Sequence, residues 1–560
     1  MIKSPQHPAD DHERQRALDP ALSFIVQAPA GSGKTGLITQ RFLRLLTTVQ
    51  SPEEVLAITF TKKAAAEMRE RILAALTAAR DTPMPADEHG RVTWQLAQTV
   101  LQHERVLEWN LLEMPGRLRI QTIDSLCAYL TRSMPVMSGF GAQPRITEEA
   151  TELYREAVRR TLEHLEEGYD WSPAIEALID HLDNQLSLVE SLLIEMLAKR
   201  DQWLRHVQQG RDHPAARELL ERTLAAIISD ALAHVDRVLP AHYRQELLSV
   251  AQFAGGNVEK THRLACLAEL NKLPEFTVSA LSTWLTITGL LLTNDNSWRK
   301  RVDKNSGFPA PSSANNSQEK AALQVMKERM VALLAGLAAE PEVLTSLARL
   351  SQLPTPRYSD GQWQLLEALF ELLPITAAQL HLVFAEQGCV DFSEVARSAN
   401  HALGDDEAPT DLALALDYRI QHLLVDEFQD TSFGQYQLLE RLTAGWQRGD
   451  GRTLFLVGDP MQSIYRFREA EVGLFLRARR YGIGEIALVP LTLTVNFRSQ
   501  QGVVAWVNGA FEKILPSEES MESGAVVYTP SVAAHPARDE DAVVVHPQLA
   551  KDQATEALAV

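Results

Sequence analysis

The stretch Ala28-Pro-Ala-Gly-Ser-Gly-Lys-Thr35 decides the fold. Just before it, Leu22-Ser-Phe-Ile-Val26 is a short, β-rich apolar run. Just after it, Leu37, Ile38, Phe42 and Leu45 recur at helical spacing. Strand, glycine-rich turn and helix, in that order, make a phosphate cradle. Small residues let backbone N–H groups face phosphate oxygens, and the helix N-terminus adds positive dipole. Ala28, Pro29, Ala30, Gly31, Ser32, Gly33, Lys34 and Thr35 are therefore the candidate nucleotide-binding residues, with Ala28 standing where the pattern has its first glycine. Lys34 would reach the β and γ phosphates, and Thr35 would place its hydroxyl on Mg²⁺. A chance glycine-rich turn is the alternative, and the flanking strand and helix count against it.

Outward from this stretch the α/β pattern continues. Val55 to Phe60 reads as a second strand, leading into a charged, Ala-rich helix from Lys62 to about Ala79. Arg119 to Ile123 reads as a third strand before a helix running to Leu130. Strands separated by helices imply a parallel sheet. From about 145 to 400 the spacing turns mostly helical, with one basic, loop-like interruption at Ser297-Trp-Arg-Lys-Arg-Val-Asp-Lys304. Strands return at His422 to Val425, Leu454 to Val457 and Leu491 to Val495. A sheet that stops and resumes implies an insertion. The expected organisation is a first motor domain over 1–135 and 411–490, a helical insertion over 136–410, and the start of a second motor domain over 491–560, which reads as truncated.

Composition bounds the rest. The chain has 560 residues, 45% hydrophobic and 23% charged, as in soluble globular protein. Its 73 acidic and 54 basic residues give a formal charge of −19, which argues against a wholesale nucleic-acid coat but leaves room for a local basic groove. Cys127, Cys266 and Cys389 are far apart and lack CxxC spacing, so neither a disulfide framework nor a zinc site is expected. The N-terminus is polar, and the longest apolar run, Leu281 to Thr293, is too short to span a bilayer and reads as a buried helix. These features point to a cytoplasmic protein without a membrane partner.

Leu423-Leu-Val-Asp-Glu427 is an apolar strand ending in two carboxylates. Asp426 at the strand tip would hold Mg²⁺, and Glu427 would orient and deprotonate an attacking water. Alone, such a pair reads as a solvated loop; with the phosphate cradle it forms a set, which Gln429 and Asp430 extend.

The segments APAGSGKT, ITFTKKAAAEMRERI, IQTIDSLC, VDEFQDTS, VGDPMQSIYRFR and LTVNFRS, in this order, resemble the superfamily 1 helicases of the UvrD/Rep type. The insertion, with TNDNSWRKRVDKNSGFP and GCVDFSEVA, is similar to helicase subunits of helicase–nuclease machines of the AddA and RecB type. The resemblance implies RecA-like motor domains, ATP with Mg²⁺, and 3′→5′ movement on single-stranded DNA. It implies that Gln15, assisted by Arg16, contacts adenine and that Phe497 stacks on it. Gln462 and Arg498 would meet the γ-phosphate. Thr59, Phe60, Thr61, Thr122, Asp124 and Ser125 would line the DNA path, with Tyr465 and Phe467 stacking on bases and Arg468 nearby. Read without the resemblance, Tyr465 and Phe467 could equally be core residues and Arg498 a surface ion pair. The basic run Trp298, Arg299, Lys300, Arg301 and Lys304 is either a duplex contact or a solvated charge run.

The family's later threonine–histidine–lysine–glycine–leucine–glutamate core and its VALTRA-like arginine motif do not occur before Val560. Two function classes follow. The first is an ATP-dependent DNA helicase in repair or recombination, acting on single-stranded DNA and its junctions with duplex and partnered by a nuclease or a second subunit. The second is a truncated module that binds ATP and single-stranded DNA without coupling them. A third reading has the helical insertion docking on a partner.

Overall fold

The computed structural model describes residues 8–134, 144–210, 216–314, 316–405, 408–463, 471–521, 524–538 and 541–544. It divides into two compact units: one formed by Met1–Glu163, Ser187–Arg205 and Ile375–Val560, the other by His164–Leu186 and His206–Pro374. The region read as one helical insertion is thus shared between the two.

The first unit is built on strands β1 (Phe24–Gln27), β2 (Val55–Thr59), β3 (Arg119–Thr122), β4 (His422–Val425), β5 (Thr453–Gly458) and β6 (Val489–Thr492). They form one parallel sheet in the order β6-β1-β5-β4-β2-β3. Strands β1, β2, β4 and β5 are buried along their whole length, as expected of a parallel sheet covered on both faces. The last strand of the sequence reading splits in two. Its first half, β6, pairs with β1 as an edge of this sheet, where Pro490 and its missing N–H are tolerated. Its second half is β7 (Val495–Gln500), which pairs with β8 (Val532–His535).

The helix after Asp10 is α1 (Asp11–Arg16), and α2 (Lys34–Leu46), α3 (Lys62–Asp81), α4 (Glu88–Leu107) and α5 (Ile123–Ser133) follow along the chain. Leu37, Ile38, Phe42 and Leu45 of α2 are buried with Met68 and Ile72 of α3, Val100 of α4, and Val26, Ala57 and Phe455 of the strands in one core. Arg41 of α2 is fully buried in it. Its guanidinium lies 5.5 Å from the Phe24 ring centroid and 5.2 Å from that of Phe455, and it donates to the carbonyls of Ala17 and Leu22 at 3.1 and 2.9 Å. It therefore ties the segment before β1 to the underside of the sheet, with its charge spread over rings and carbonyls.

A second buried charge joins segments far apart in sequence. Arg200 grips Asp391 through both oxygens at 2.7 and 2.6 Å, the Tyr154 hydroxyl donates to the same carboxylate at 2.6 Å, and Asp391 also caps the helix Phe392–Leu403 by accepting from Glu394 N at 2.8 Å. With every partner placed, the pair fixes registry more than it adds net stability.

The second unit is helical. Leu232, Val235, Leu247, Trp284, Ile287 and Phe308 are among its fully buried residues. The run read as a buried helix is Leu281–Leu291, with Leu281, Trp284, Ile287, Leu290 and Leu291 inside. In the basic stretch, Arg299 donates to the Gly289 carbonyl at 3.0 Å, while Lys300, Arg301 and Lys304 are exposed. The helix Asp360–Gln387, with Pro374 inside it, is long and apolar enough to cross a bilayer by length and composition, but 39% of its most apolar window is buried within the protein, as in a core helix.

His422 opens β4 with its Nδ1 2.8 Å from Thr453 Oγ1 and its Nε2 3.2 Å from Thr48 Oγ1. Burial, and then the charge of Arg41, depress its pKa from 6.5 to about 3. The unfolded chain takes up this proton near 6.5 and the folded chain only near 3, so the stability His422 contributes is complete above 6.5 and is lost as pH falls between those values. We expect urea unfolding of His422→Asn to show a shallower pH dependence than wild type between pH 6.5 and 5, by up to ~1 kcal/mol per pH unit. Parallel pH profiles for the two proteins would mean that His422 does not fold in its neutral form.

Candidate functional site

The carboxyl ends of five adjacent strands meet at one edge of the sheet, the edge where open α/β sheets bind ligands. The loop after β1 turns on two glycines with left-handed backbone, Gly31 at φ +80° and Gly33 at φ +77°. Each demands a residue without Cβ, and Gly31 for a second reason. A Cβ there would lie 2.7 Å from Asn496 Oδ1 and 2.9 Å from Arg498 Cβ. Gly33 ends the loop as the N-cap of α2, so the first-turn N–H groups open toward it. The Ser32 hydroxyl is buried in the cradle with no hydrogen-bond partner among the described residues. A buried orphan hydroxyl beside a helix N-terminus fits a phosphate oxygen.

Lys34 opens α2 and crosses to the end of β4. Its Nζ lies 2.5 Å from Glu427 Oε2 and 3.7 Å from Asp426 Oδ1. Asp426 continues β4, its N–H donating to the Ile58 carbonyl of β2 at 2.9 Å. Glu427 has left-handed backbone at φ +53°, unusual for a residue with a long side chain, and this turn brings its carboxylate back toward Lys34. Burial pushes the Asp426 carboxyl up to about 6, with Lys34 pulling it down and Glu427 pushing it up. Burial likewise raises Asp430 to about 6, against a hydrogen bond from Ser463. Carboxyls crowded this way call for a cation, and an Asp oxygen near the Thr35 hydroxyl end of the cradle is the donor set Mg²⁺ takes when phosphates and water supply its other ligands.

Gln429 connects the neighbouring strand ends. Its Nε2 donates to Glu427 Oε2 at 2.9 Å and to Asp430 Oδ2 at 3.1 Å, and its Oε1 accepts from Asp459 N, just past β5, at 2.9 Å. Gly458 makes room for it, since a Cβ there would come within 2.3 Å of Gln429 Oε1. Beyond β5, Gln462 donates its side-chain amide to Asp459, and Ser463 Oγ donates to Asp430 Oδ1 at 3.0 Å. Tyr465, Phe467 and Arg468, expected on the DNA side, lie outside the described residues.

The start of β7 lies across the cradle. Asn496 Nδ2 donates to the Ala30 carbonyl at 3.0 Å, and Phe497 N donates to that of Gly31 at 2.8 Å. Phe497 is 41% exposed, and the Arg498 side chain is exposed too, so the ring and the guanidinium stand free to meet a ligand. Gln15 is exposed and donates to Asp11 at 2.7 Å, and Arg16 is exposed. The α1 residue that reaches the cradle is Arg14, one position earlier. It donates to the Ser32 carbonyl at 2.7 Å, pairs with Asp10 at 2.7 and 3.0 Å, and sits 5.1 Å from the centroid of Phe497. Asp10 also accepts from Thr494 N and Val495 N, at 2.8 and 2.9 Å. The signal in the sequence for this pair is the i, i+4 acid–base spacing of Asp10 and Arg14.

Further along the same edge, Thr59 and Thr122 face each other in register at the ends of β2 and β3. Thr61 caps α3 by accepting from Ala64 N at 3.1 Å; Thr122 caps α5 by accepting from Ser125 N at 3.1 Å and lies 2.7 Å from Ser125 Oγ. Thr59 Oγ1 donates to the Thr61 carbonyl at 3.1 Å, Phe60 is nearly buried, and Asp124 sits in the first turn of α5. Two helix N-termini thus open side by side, next to the acidic pair.

A family profile described as the UvrD/REP helicase N-terminal domain matches residues 10–481. The chain belongs to this helicase family. Its relatives include proteins named as the AddA-type member of an ATP-dependent helicase/nuclease. One, from Desulfitobacterium hafniense strain DSM 10664 / DCB-2, is 28% identical over 560 residues, covering 93% of this chain and 37% of the relative. Another, from Bacillus anthracis, is 26% identical over 538 residues, covering 91% and 39%. The chain spans less than two fifths of the length of these helicase relatives. Every strand of the six-stranded sheet except the β6 edge falls inside the family match.

The two cradle glycines differ in a measurable way. Gly33→Ala meets only ordinary contacts, the nearest at 3.6 Å, and should cost the αL penalty alone, about 1–2 kcal/mol. Gly31→Ala must also displace Asn496 and should lower the thermal midpoint further than Gly33→Ala does. Equal midpoints would show that β7 does not rest on the loop.

Proposed function

We propose that this chain is the nucleotide-hydrolysing motor of a DNA helicase that uses ATP to move along single-stranded DNA in repair. The observation that carries this reading is the meeting of Lys34 with Asp426 and Glu427 across two strands of the sheet, at 3.7 and 2.5 Å. A cradle lysine and a strand-end acid pair at this spacing are what phosphoryl transfer to water requires: a cation for the transferring charge, a metal ligand, and a base for the nucleophile. Ala28 to Thr35 would hold the phosphates, and Thr35 and Asp426 would hold Mg²⁺, which bridges and neutralises phosphate oxygens when bound. Glu427 would accept the proton of the attacking water. Gln462 and Arg498, from separate segments, would approach the γ-phosphate.

The DNA path runs along the same edge at the ends of β2 and β3. The N-termini of α3 and α5 offer N–H groups to the DNA backbone, and Thr59, Phe60, Thr61, Thr122, Asp124 and Ser125 lie around them. Tyr465, Phe467 and Arg468 extend the path by stacking, which is worth about 1–3 kcal/mol per base and ignores sequence. Membership of the family supports 3′→5′ movement, and the names of the relatives support work alongside a nuclease and a further protein partner.

Two variants test the assignment in the protein. Lys34→Ala should abolish DNA-stimulated ATP turnover with the circular dichroism spectrum unchanged. Glu427→Gln keeps the shape and loses the base, so nucleotide should still bind while turnover falls by roughly 10²–10⁴. Wild-type turnover in the first variant would overturn the role of Lys34, and lost nucleotide binding in the second would overturn that of Glu427.

A further inference from the structure

Gly33 and Gly36 are three residues apart at the start of α2 and so lie on one face, one above the other. Three side chains from elsewhere border that face. A Cβ on Gly33 would meet Phe497 Cδ2 and Arg14 Nη1, both at 3.6 Å, and a Cβ on Gly36 would meet His89 of α4 at 2.7 Å. The face is thus a bare stretch of helix flanked by an aromatic ring, a guanidinium and an imidazole, directly beyond the phosphate cradle.

The free polar atoms on it are all donors. Arg14 commits Nε to Asp10 and Nη2 to Asp10 and Ser32, which leaves Nη1 with no partner among the described residues. His89 Nδ1 lies 3.1 Å from Gln40 Nε2, and the same amide nitrogen lies 3.2 Å from the His89 carbonyl. A carbonyl only accepts, so the group facing the ring is the amide NH₂, Nδ1 is the acceptor, and the ring proton sits on Nε2. Asp10, the nearest carboxylate, is saturated by its four hydrogen bonds to Arg14, Thr494 and Val495. Gln15, whose amide could both donate and accept, is turned away to Asp11.

We infer that Arg14, His89 and Phe497 form the nucleobase site, and that this site accepts guanine as readily as adenine. The inference rests on the reading of loop 28–35 as a triphosphate cradle. Adenine offers an acceptor at N7 beside a donor at N6, whereas guanine offers acceptors at both N7 and O6. A site with donors alone leaves the adenine amine unread and satisfies both guanine acceptors. Stacking on Phe497 serves either purine.

The test is equilibrium binding of ADP, GDP and inorganic tripolyphosphate to the wild-type protein in Mg²⁺, by competition against a ribose-labelled fluorescent ADP. ADP and GDP should bind within about threefold of each other. Arg14→Gln introduces an acceptor and should shift the ratio toward ADP by about tenfold, within the range of one bidentate base contact. His89→Ala, which leaves the Asp10 pairing untouched, should weaken both nucleosides and leave tripolyphosphate unchanged. A wild-type preference for ADP above tenfold, with tripolyphosphate still binding, would overturn the base-site inference alone. Failure of all three ligands to bind would overturn the cradle reading, and this inference with it.

Discussion

The site follows from one backbone constraint: the loop after β1 must turn its N–H groups outward while its carbonyls stay satisfied. Left-handed Gly31 and Gly33 make the turn possible, and other segments take up the freed carbonyls. Asn496 donates to Ala30, Phe497 N to Gly31, and Arg14 to Ser32. The polar backbone of a phosphate cradle would otherwise be left unpaired in a crowded edge, at a cost of about 1–3 kcal/mol per group. The segments that satisfy it, α1 and β7, are the ones that carry the side chains nearest a bound nucleotide. Supporting the loop and surrounding the ligand are one and the same set of contacts.

Strand order then does the chemistry's positioning. Because β5 lies between β1 and β4, the cradle and the acid pair are two strands apart. That separation suits a lysine reaching across from the first turn of α2. Parallel strands put all their carboxyl ends on one edge, so Lys34, Asp426, Asp459 and Thr122 come together from positions spread over more than 400 residues. Burial raises the pKa of Asp426, Asp430 and Asp459 alike, so the edge holds carboxyls that gain from a neighbouring cation.

Much of this is legible in the sequence because the chemistry demands residue types at fixed spacing. A phosphate cradle needs Gly-Ser-Gly-Lys-Thr in a row, and a buried strand ending in Asp-Glu announces its own tip. The strands β1, β2, β4 and β5 are legible to within two residues of their ends, since fully buried strands read as continuous apolar runs. What depends on helical phase or packing is not legible. Arg14 and Gln15 differ by about 100° around α1, and residue type alone does not say which faces the loop. Helix α4 buries only Ala97, Val100 and Leu101, so its pattern is faint, and His89 at its start is placed by packing on α2. The strand near Leu491 reads, from its sequence, as opening a second domain. It joins the first sheet because its pairing with β1, which no local pattern announces, decides where it belongs.

The contacts around Lys34 give a change at the phosphates two mechanical outlets. One runs through Glu427 to Gln429, then to Asp459 N and to Asp430 with Ser463, which leads the chain toward 464–470. The other runs from the loop carbonyls through Asn496 and Phe497 into β7 and the helix Gln501–Ile514 that follows it. Each link is a hydrogen bond between groups with few alternative partners, so a shift of the lysine or the loop is carried along them and not absorbed locally. The Gln429 amide sits where both strand ends meet, and Gly458 leaves no slack beside it, since even a methyl group would collide there. A motor needs its hydrolysis site to act on a distant polymer. In this fold the same strand-end amide that touches the base Glu427 also holds the backbone of the next loop, and that shared contact is the shortest path from phosphate to nucleic acid that the fold provides.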